Sequence, residues 1–215
     1  MQIIFEDNHL IIVNKTNDEL VQADADGKKS LEEVLKEYVK QKYNKPGNVF
    51  ISAAHRIDRP VSGIVIFAKT SKALARMSDL FKDGKVRKVY WAIVQNRPPS
   101  DSETLMHFLR RDGKINKSHC SNTQVENSKA AILDYRVLAS SDNYFLLEIN
   151  LKTGRHHQIR AQLSFIGCPI KGDVKYGFRR PNKEGGISLH AREIEFEHPV
   201  KKEIMKFVSE STNGK

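Results

Sequence analysis

The sequence predicts an α+β fold: a mixed, largely antiparallel sheet with a few isolated helices. Two observations carry this. Most apolar residues fall into short runs or period-two alternations bounded by turn residues, which is strand patterning. The segments of helical period stand singly between the strands, without the strict alternation that a parallel-sheet architecture requires. The 215 residues suffice for a sizeable core. No repeat, low-complexity tract or clear linker interrupts them, so one domain spanning 1–215 is expected.

In chain order, residues 2–14 read as two short strands about a turn at Glu6, Asp7 and Asn8. From Ser30 the period changes. Leu31, Val34, Leu35, Tyr38 and Val39 recur at helical spacing, Ser30 with Glu33 spells a capping box, and Pro46 and Gly47 follow the end. The run GIVIFA at 63–68 is a compact buried strand. Thr70 or Ser71 then caps a helix carrying Leu74, Met77, Leu80 and Phe81, and Gly84 stops it. Residues 86–95 alternate as a strand. Residues 98–129 are polar and irregular and read as surface loop or short strands. Two longer strands follow at about 130–140 and 144–151, the second with Phe145, Leu147, Ile149 and Leu151 on one face. Residues 153–165 read as a helix closed by Gly167, 168–186 as a loop and 187–197 as a strand. A short amphipathic helix is expected at 201–209, and 211–215 as a frayed tail.

Charge is the first clue to function. Lys and Arg number 36 against 26 Asp and Glu, a formal balance of +10 that attracts polyanions, RNA being the most abundant. Taken alone, a merely basic surface explains the same excess equally well. Cys120 and Cys168 are too few for a disulfide framework and form no CxxC pair, so both are expected as free thiols in a reducing compartment. Glu6, Asp7 and His9 interrupt the N-terminal apolar stretch, which therefore resembles no signal peptide, and no run is long enough to cross a bilayer. A cytoplasmic protein without membrane contact is expected, with a monomer as the default.

Three places could carry chemistry. In HRIDRPVSG at 55–63, Asp58 lies between Arg56 and Arg59: an acid held ionised by cations is available as nucleophile or base, although ion-paired loops of this kind are also common as structure. In LKTGRHHQIR at 151–160 a strand ends, Thr153 and Gly154 turn, and Arg155 and His156 enter the first helical turn, which favours an anion. The adjacent His156 and His157 do not make a metal site, because neighbours on a helix diverge by about 100° and no carboxylate lies at i+4. In RKVYWAIV at 87–94, Tyr90 and Trp91 point to opposite faces of a strand, one toward the core and the other toward a cleft.

Together these places resemble the RluA-type branch of the pseudouridine synthases. HRIDRPVSGIVIFAKT is similar to that family's central signature, LKTGRHHQIRAQLSFIGCPIKGDVKYG to its later motif, ISLHAREIEFEHPVKKE to its C-terminal one, and IIFEDNHLIIVNK to its first strands. The four stand in order over roughly residues 2–207. The resemblance implies a sheet bent around a central basic cleft, and an isomerase that rearranges uridine in structured RNA, a tRNA or rRNA stem-loop, without cofactor or metal. It implies Asp58 as nucleophile, Tyr90 as the tyrosine against the target base, Arg155 as partner of the aspartate, and Arg56 as an aid to displacing the nucleotide. Further substrate contacts are expected from His55, Arg59, Lys88, Lys171, Lys175 and Arg179, with Lys85, Arg87 and Arg180 alongside. Three positions depart from the family pattern: Thr16-Asn17 follows Lys15 in place of proline and glycine, Ile57 replaces a leucine, and Gln162 replaces a histidine. No S4-like domain precedes the motifs, so every RNA contact is expected from this domain.

Two other classes compete. A non-catalytic RNA-binding protein on the same fold would bind RNA unchanged after loss of Asp58. A phosphoesterase using Asp58 and His55 would call for a cluster of metal-binding carboxylates, and the sequence shows none.

Overall fold

A computed structural model of the protein describes residues 1–23 and 27–210. Along the chain run β1 (Gln2–Glu6), β2 (Leu10–Lys15), α1 (Leu31–Lys42), β3 (Ser52–Ala53), β4 (Ser62–Ala68), α2 (Ser71–Lys82), β5 (Arg87–Val94) and β6 (Ser102–Asp112). Then follow β7 (Lys117–Ser121), β8 (Lys129–Ser140), β9 (Phe145–Leu151), α3 (Gln158–Phe165), a 3-10 turn (Val174–Tyr176), β10 (Leu189–Glu197) and β11 (Ile204–Val208). The elements group into two compact units, Met1–Val86 with the segment from Glu193 onward, and Arg87–Arg192. The α+β class holds in both. The tail expected at 211–215 lies outside the described residues.

In the first unit β1 pairs with β2, β2 with β4, β3 with the end of β4, and β10 with β11, all antiparallel. β2 and β4 are buried along their whole lengths, which is why GIVIFA reads as a continuous apolar run with no alternation. Leu10, Ile12, Ile64, Ile66, Met77, Val86, Ile194 and Phe196 form one cluster, each large side chain worth about 1.5–3 kcal/mol on burial. Both helix starts are as the sequence spells them. The Ser30 side chain accepts the Glu33 N–H while Glu33 Oε2 accepts the Ser30 N–H at 2.8 Å, and Thr70 caps α2 through Ala73. Gly84, at φ +69°, ends α2.

Two carboxylates of the β1–β2 turn organise this unit. Asp7 Oδ1 accepts the His9 and Leu10 N–H groups at 2.7 and 2.9 Å. Its Oδ2 lies 3.1 Å from Nε2 of His198, a fully buried ring. Nδ1 of His198 accepts the Val200 and Lys201 N–H groups, so the ring proton sits on Nε2, the nitrogen nearer Asp7. One His–Asp pair thus ties the β1–β2 turn to the β10–β11 turn. Glu6 collects four donors: Lys42 at 2.7 Å, Lys69 at 2.8 Å, Tyr43 at 2.9 Å and Tyr38 at 3.0 Å.

Burial pushes the Glu6 carboxyl up, but Lys42, Lys69, Tyr43 and Tyr38 together outweigh it and hold its pKa at about 2 against an ordinary 4.5. The folded pKa lies below the unfolded one, so the stability this group adds is full above pH 4.5 and disappears as pH falls toward about 2. Glu6→Gln is expected to remove up to about 3 kcal/mol at neutral pH. Urea unfolding of both proteins should show the gap closing on acidification through that window; a gap independent of pH would contradict the assignment.

In the second unit the strands run in the order β5, β9, β8, β6, β7, every pair antiparallel. Leu105, Leu109, Leu133, Tyr135, Leu147, Ile149 and Leu151 are buried, and Leu109, Ala131, Ala161 and Tyr176 make one cluster that includes α3. Gln162, which has no exposed surface, fixes α3 to the sheet: its Nε2 lies within 3.3 Å of the Leu105 and Ala131 carbonyls and His107 Nδ1. Arg160 makes a bidentate pair with Asp173, at 2.7 and 2.9 Å, tying α3 to the following loop.

Three expectations are corrected. Residues 98–129 are not chiefly loop: they contain β6, eleven residues long, and β7. Leu105, His107 and Leu109 face inward, and the inward histidine obscures the alternation. Residues 201–209 hold a turn and the strand Ile204–Val208 in place of a helix, because Met205 and Phe207 pack on the core while Ile204, Lys206 and Val208 face out, and Lys202 turns the hairpin at φ +63°. Finally, α3 begins at Gln158, since His157 stands in the left-handed region at φ +53°. Arg155 and His156 therefore lie in a turn before the helix.

Candidate active site

Asp58 lies in the loop between β3 and β4. Its carbonyl accepts the Val61 N–H at 3.0 Å, closing a turn around Arg59 and Pro60. The side chains of Ile57 and Val61 are buried on either side of that turn, whereas Asp58 is half-buried and Arg56 and Arg59 are exposed. The loop is held from below by Lys15, the last residue of β2. This fully buried ammonium donates to the carbonyls of Thr16 at 2.7 Å, Arg59 at 2.9 Å and Val61 at 2.7 Å. Its three donors match three acceptors, as a buried cation requires. Burial pushes the Lys15 pKa down to about 8, against the opposing pull of Glu19, Asp18 and Asp58. Sequence reading missed this residue; the signal was a lysine closing a strand that opens with four apolar residues, Leu10 to Val13.

The other residues expected in this loop have identifiable partners. Nε2 of His55 accepts the Ile66 N–H at 3.2 Å, and its ring packs against Phe81 at 4.9 Å between centroids, so its position serves the β3–β4 pairing. Arg56 donates to Gln22 Oε1 at 3.2 Å.

In the second unit, Lys88 and Tyr90 share one face of β5 and Trp91 takes the other. Tyr90 is 8% exposed; Trp91 is half-buried, with the Arg192 guanidinium 4.4 Å from its ring centroid. Burial pushes the Lys88 pKa down, and a methyl group placed on Gly154 would lie 3.8 Å from its ammonium, which puts Lys88 beside the turn that carries Arg155. That turn is braced by Gln158, whose Oε1 accepts the Arg155 N–H at 2.9 Å and the Thr153 hydroxyl at 2.8 Å, and whose Nε2 donates to the Ile132 carbonyl. Arg155 Nε donates to the Ala130 carbonyl at 2.8 Å. The guanidinium plane is thereby fixed, and its Nη groups are left to meet a carboxylate or phosphate.

His156 and His157 stack at 3.8 Å and serve different neighbours. His156 meets Ser118 Oγ through Nδ1 and Asn116 Oδ1 through Nε2. His157 Nδ1 lies 2.9 Å from the Tyr176 hydroxyl, which also accepts the Ser118 N–H. Burial, reinforced by Arg160, His156, Lys175 and Arg111, drives the His157 pKa down to about 2, so the ring is neutral. Lys171 stands over the Tyr144 ring at 5.0 Å, Lys175 reaches the β6–β7 turn, and Arg179 and Arg180 are exposed.

A sequence profile described as RNA pseudouridylate synthase matches residues 9–165, a stretch that includes Asp58, Tyr90 and Arg155. The chain belongs to the RNA pseudouridylate synthase family. It is 35% identical over 183 residues to the ribosomal large subunit pseudouridine synthase C of Rickettsia prowazekii (strain Madrid E), covering 85% of this chain and 57% of the relative. It is 30% identical over 220 residues to the ribosomal large subunit pseudouridine synthase D of Zymomonas mobilis subsp. mobilis (strain ATCC 31821 / ZM4 / CP4), covering 98% and 69%. The chain thus spans about three fifths to two thirds of the length of the curated relatives it matches. Among solved structures, Human RNA Pseudouridylate Synthase Domain Containing 4 shares the fold, with a TM-score of 0.82 at 22% identity over 99% of this chain and 89% of the other. No described helix is long and apolar enough to cross a membrane.

Proposed function

We propose that this chain is an RNA pseudouridine synthase that converts uridine to pseudouridine in structured RNA, with Asp58 as nucleophile. The observation that carries the reading is the family membership of a chain in which Asp58, Tyr90 and Arg155 are all present. The names of the relatives make large-subunit ribosomal RNA the first substrate to test, with tRNA second.

The reaction breaks the N1–C1′ bond, turns the base and rejoins it through C5, whose hydrogen leaves to water. Nothing is oxidised or hydrolysed overall. The base must leave its stack, at a cost of a few kcal/mol. The Tyr90 ring recovers part of this by packing on the base, roughly 1–3 kcal/mol. Arg155 is proposed as a catalytic residue alongside Asp58, a guanidinium being suited to meet a carboxylate. Arg56, Arg59, Lys88, Lys171, Lys175 and Arg179 are proposed as substrate contacts. His55, given its bond to Ile66, supports the loop and has less claim to touch RNA.

The test is tritium release from RNA labelled at uridine C5, on unmodified transcripts of ribosomal RNA and of tRNA separately. Release from one pool establishes the activity and selects the substrate. RNA binding without release from either would instead favour a binding protein on this fold.

A further inference from the structure

The β6–β7 hairpin is the most densely basic segment that the motif reading left aside. Its sequence RRDGKINKSH places Arg110, Arg111, Lys114 and Lys117 against a single acid, Asp112. That acid already has work in the turn: Oδ1 accepts the Lys114 N–H at 2.9 Å and the Ile115 N–H at 3.4 Å, and Oδ2 lies 3.9 Å from His119 Nε2. Arg110, Arg111 and Lys114 are exposed.

The hairpin is anchored. Lys175 donates to the Asn116 carbonyl at 3.2 Å. Asn116 Oδ1 meets His156 Nε2 at 3.1 Å, Ser118 Oγ meets His156 Nδ1 at 2.9 Å, and the Lys117 ammonium sits 5.1 Å from the Tyr176 ring centroid. His156 follows Arg155 in sequence, so these bonds fix the basic turn beside the proposed catalytic arginine. Positive charge accumulates here: Arg160, His156, Lys175 and Arg111 all act against protonation of His157, and of these Arg160 is neutralised by Asp173. Like charges gathered on a rigid frame repel one another unless an anion compensates. Arg110 and Arg111 stand on successive positions of β6 and Lys114 lies in the turn beyond its end, so the charges are spread along the hairpin and not gathered at one point, which suits the successive phosphates of a backbone better than a single small anion.

We propose that the β6–β7 hairpin, with Lys175, is a phosphate-binding edge that holds the RNA backbone next to Arg155. This rests on the RNA-modifying function above and assigns it a contact element.

The experiment is fluorescence anisotropy with a fluorescein-labelled, uridine-containing stem-loop transcript over a series of KCl concentrations. The double variant Arg110→Gln with Lys114→Gln is compared with Lys40→Gln with Lys45→Gln, an equal charge change at exposed positions of the first unit. The hairpin variant should bind about tenfold more weakly at moderate salt, and the slope of log Kd against log salt should fall by between about 1 and 2. The comparison variant should change little. Exchanging the two side chains with charge kept, Arg110→Lys with Lys114→Arg, should leave affinity near that of the wild type, and an unchanged urea midpoint in the Gln variant sets misfolding aside as the cause. An unchanged slope in the hairpin variant, an equal loss in the comparison variant, or failure of the wild type to bind at low salt would each overturn the proposal. A wild type that releases no C5 tritium but shows the hairpin-dependent slope would sink the catalytic reading and leave this one standing.

Discussion

Asp58→Ala is expected to abolish release of the uridine C5 hydrogen while the protein remains folded and binds RNA. The rate should fall on the order of 10⁴-fold or more, the scale of losing a covalent nucleophile. Main-chain and Lys15 bonds that do not use the Asp58 carboxylate also frame the loop and should hold it in the variant: the residue-58 carbonyl meets Val61 N–H, and Lys15 holds the Arg59 and Val61 carbonyls. The urea midpoint should therefore shift by no more than about 1 kcal/mol in stability. Two assays on one preparation separate the possibilities. Lost release with a retained midpoint assigns the chemistry to the carboxylate. Persistent release in the variant would remove Asp58 from the reaction, and a collapsed midpoint would make it a structural residue.

What the sequence disclosed, and what it hid, follows from the range over which each feature is determined. The starts of α1 and α2 were legible because a cap is local: Ser30 with Glu33, and Thr70 with Ala73, lie three residues apart. β4 was legible because burial on both faces leaves an uninterrupted apolar run. β11 was misread because Met205 and Phe207 suit a short helix as well as a strand, and its pairing with β10 decides the matter through residues up to fifteen positions away. The turn at 153–157 was misread because Gln158, which looks like any helical glutamine, receives bonds from Thr153 and Arg155 and donates to the Ile132 carbonyl of β8. At the candidate site, Asp58, Tyr90 and Arg155 are proposed on motifs. The bracing around them was not legible, because its acceptors are backbone carbonyls of Arg59, Val61 and Ala130, which every residue type presents alike. Gln162 shows the same limit. As a departure from the family pattern it carried no expected chemistry, yet its buried amide reaches two strands and His107.

Lys15→Met should reveal how much of the Asp58 loop depends on its brace. Methionine approximates the volume and length of the lysine chain but donates nothing, so the Thr16, Arg59 and Val61 carbonyls lose a charged donor together. Each such bond is worth about 1.5–3 kcal/mol when made, and an orphaned buried carbonyl costs about 1–3 kcal/mol. Against this stands the relief of no longer burying a charge, which burial already drives toward neutrality, with a pKa of about 8. The acceptors' loss should outweigh that relief, giving a net destabilisation of about 3 kcal/mol by urea unfolding. The effect should also be local, because two of the three carbonyls flank the turn that presents Asp58. Amide exchange at Val61 should accelerate beyond what the global loss explains, while exchange in β8 and β9 follows global stability. Isomerisation should fall with it, through a loop that no longer holds Asp58 in one place, and without the pH profile changing shape. An unaltered urea midpoint would show that the three bonds contribute nothing net; a lowered midpoint with uniform exchange would make Lys15 a general stabiliser with no special relation to the Asp58 loop.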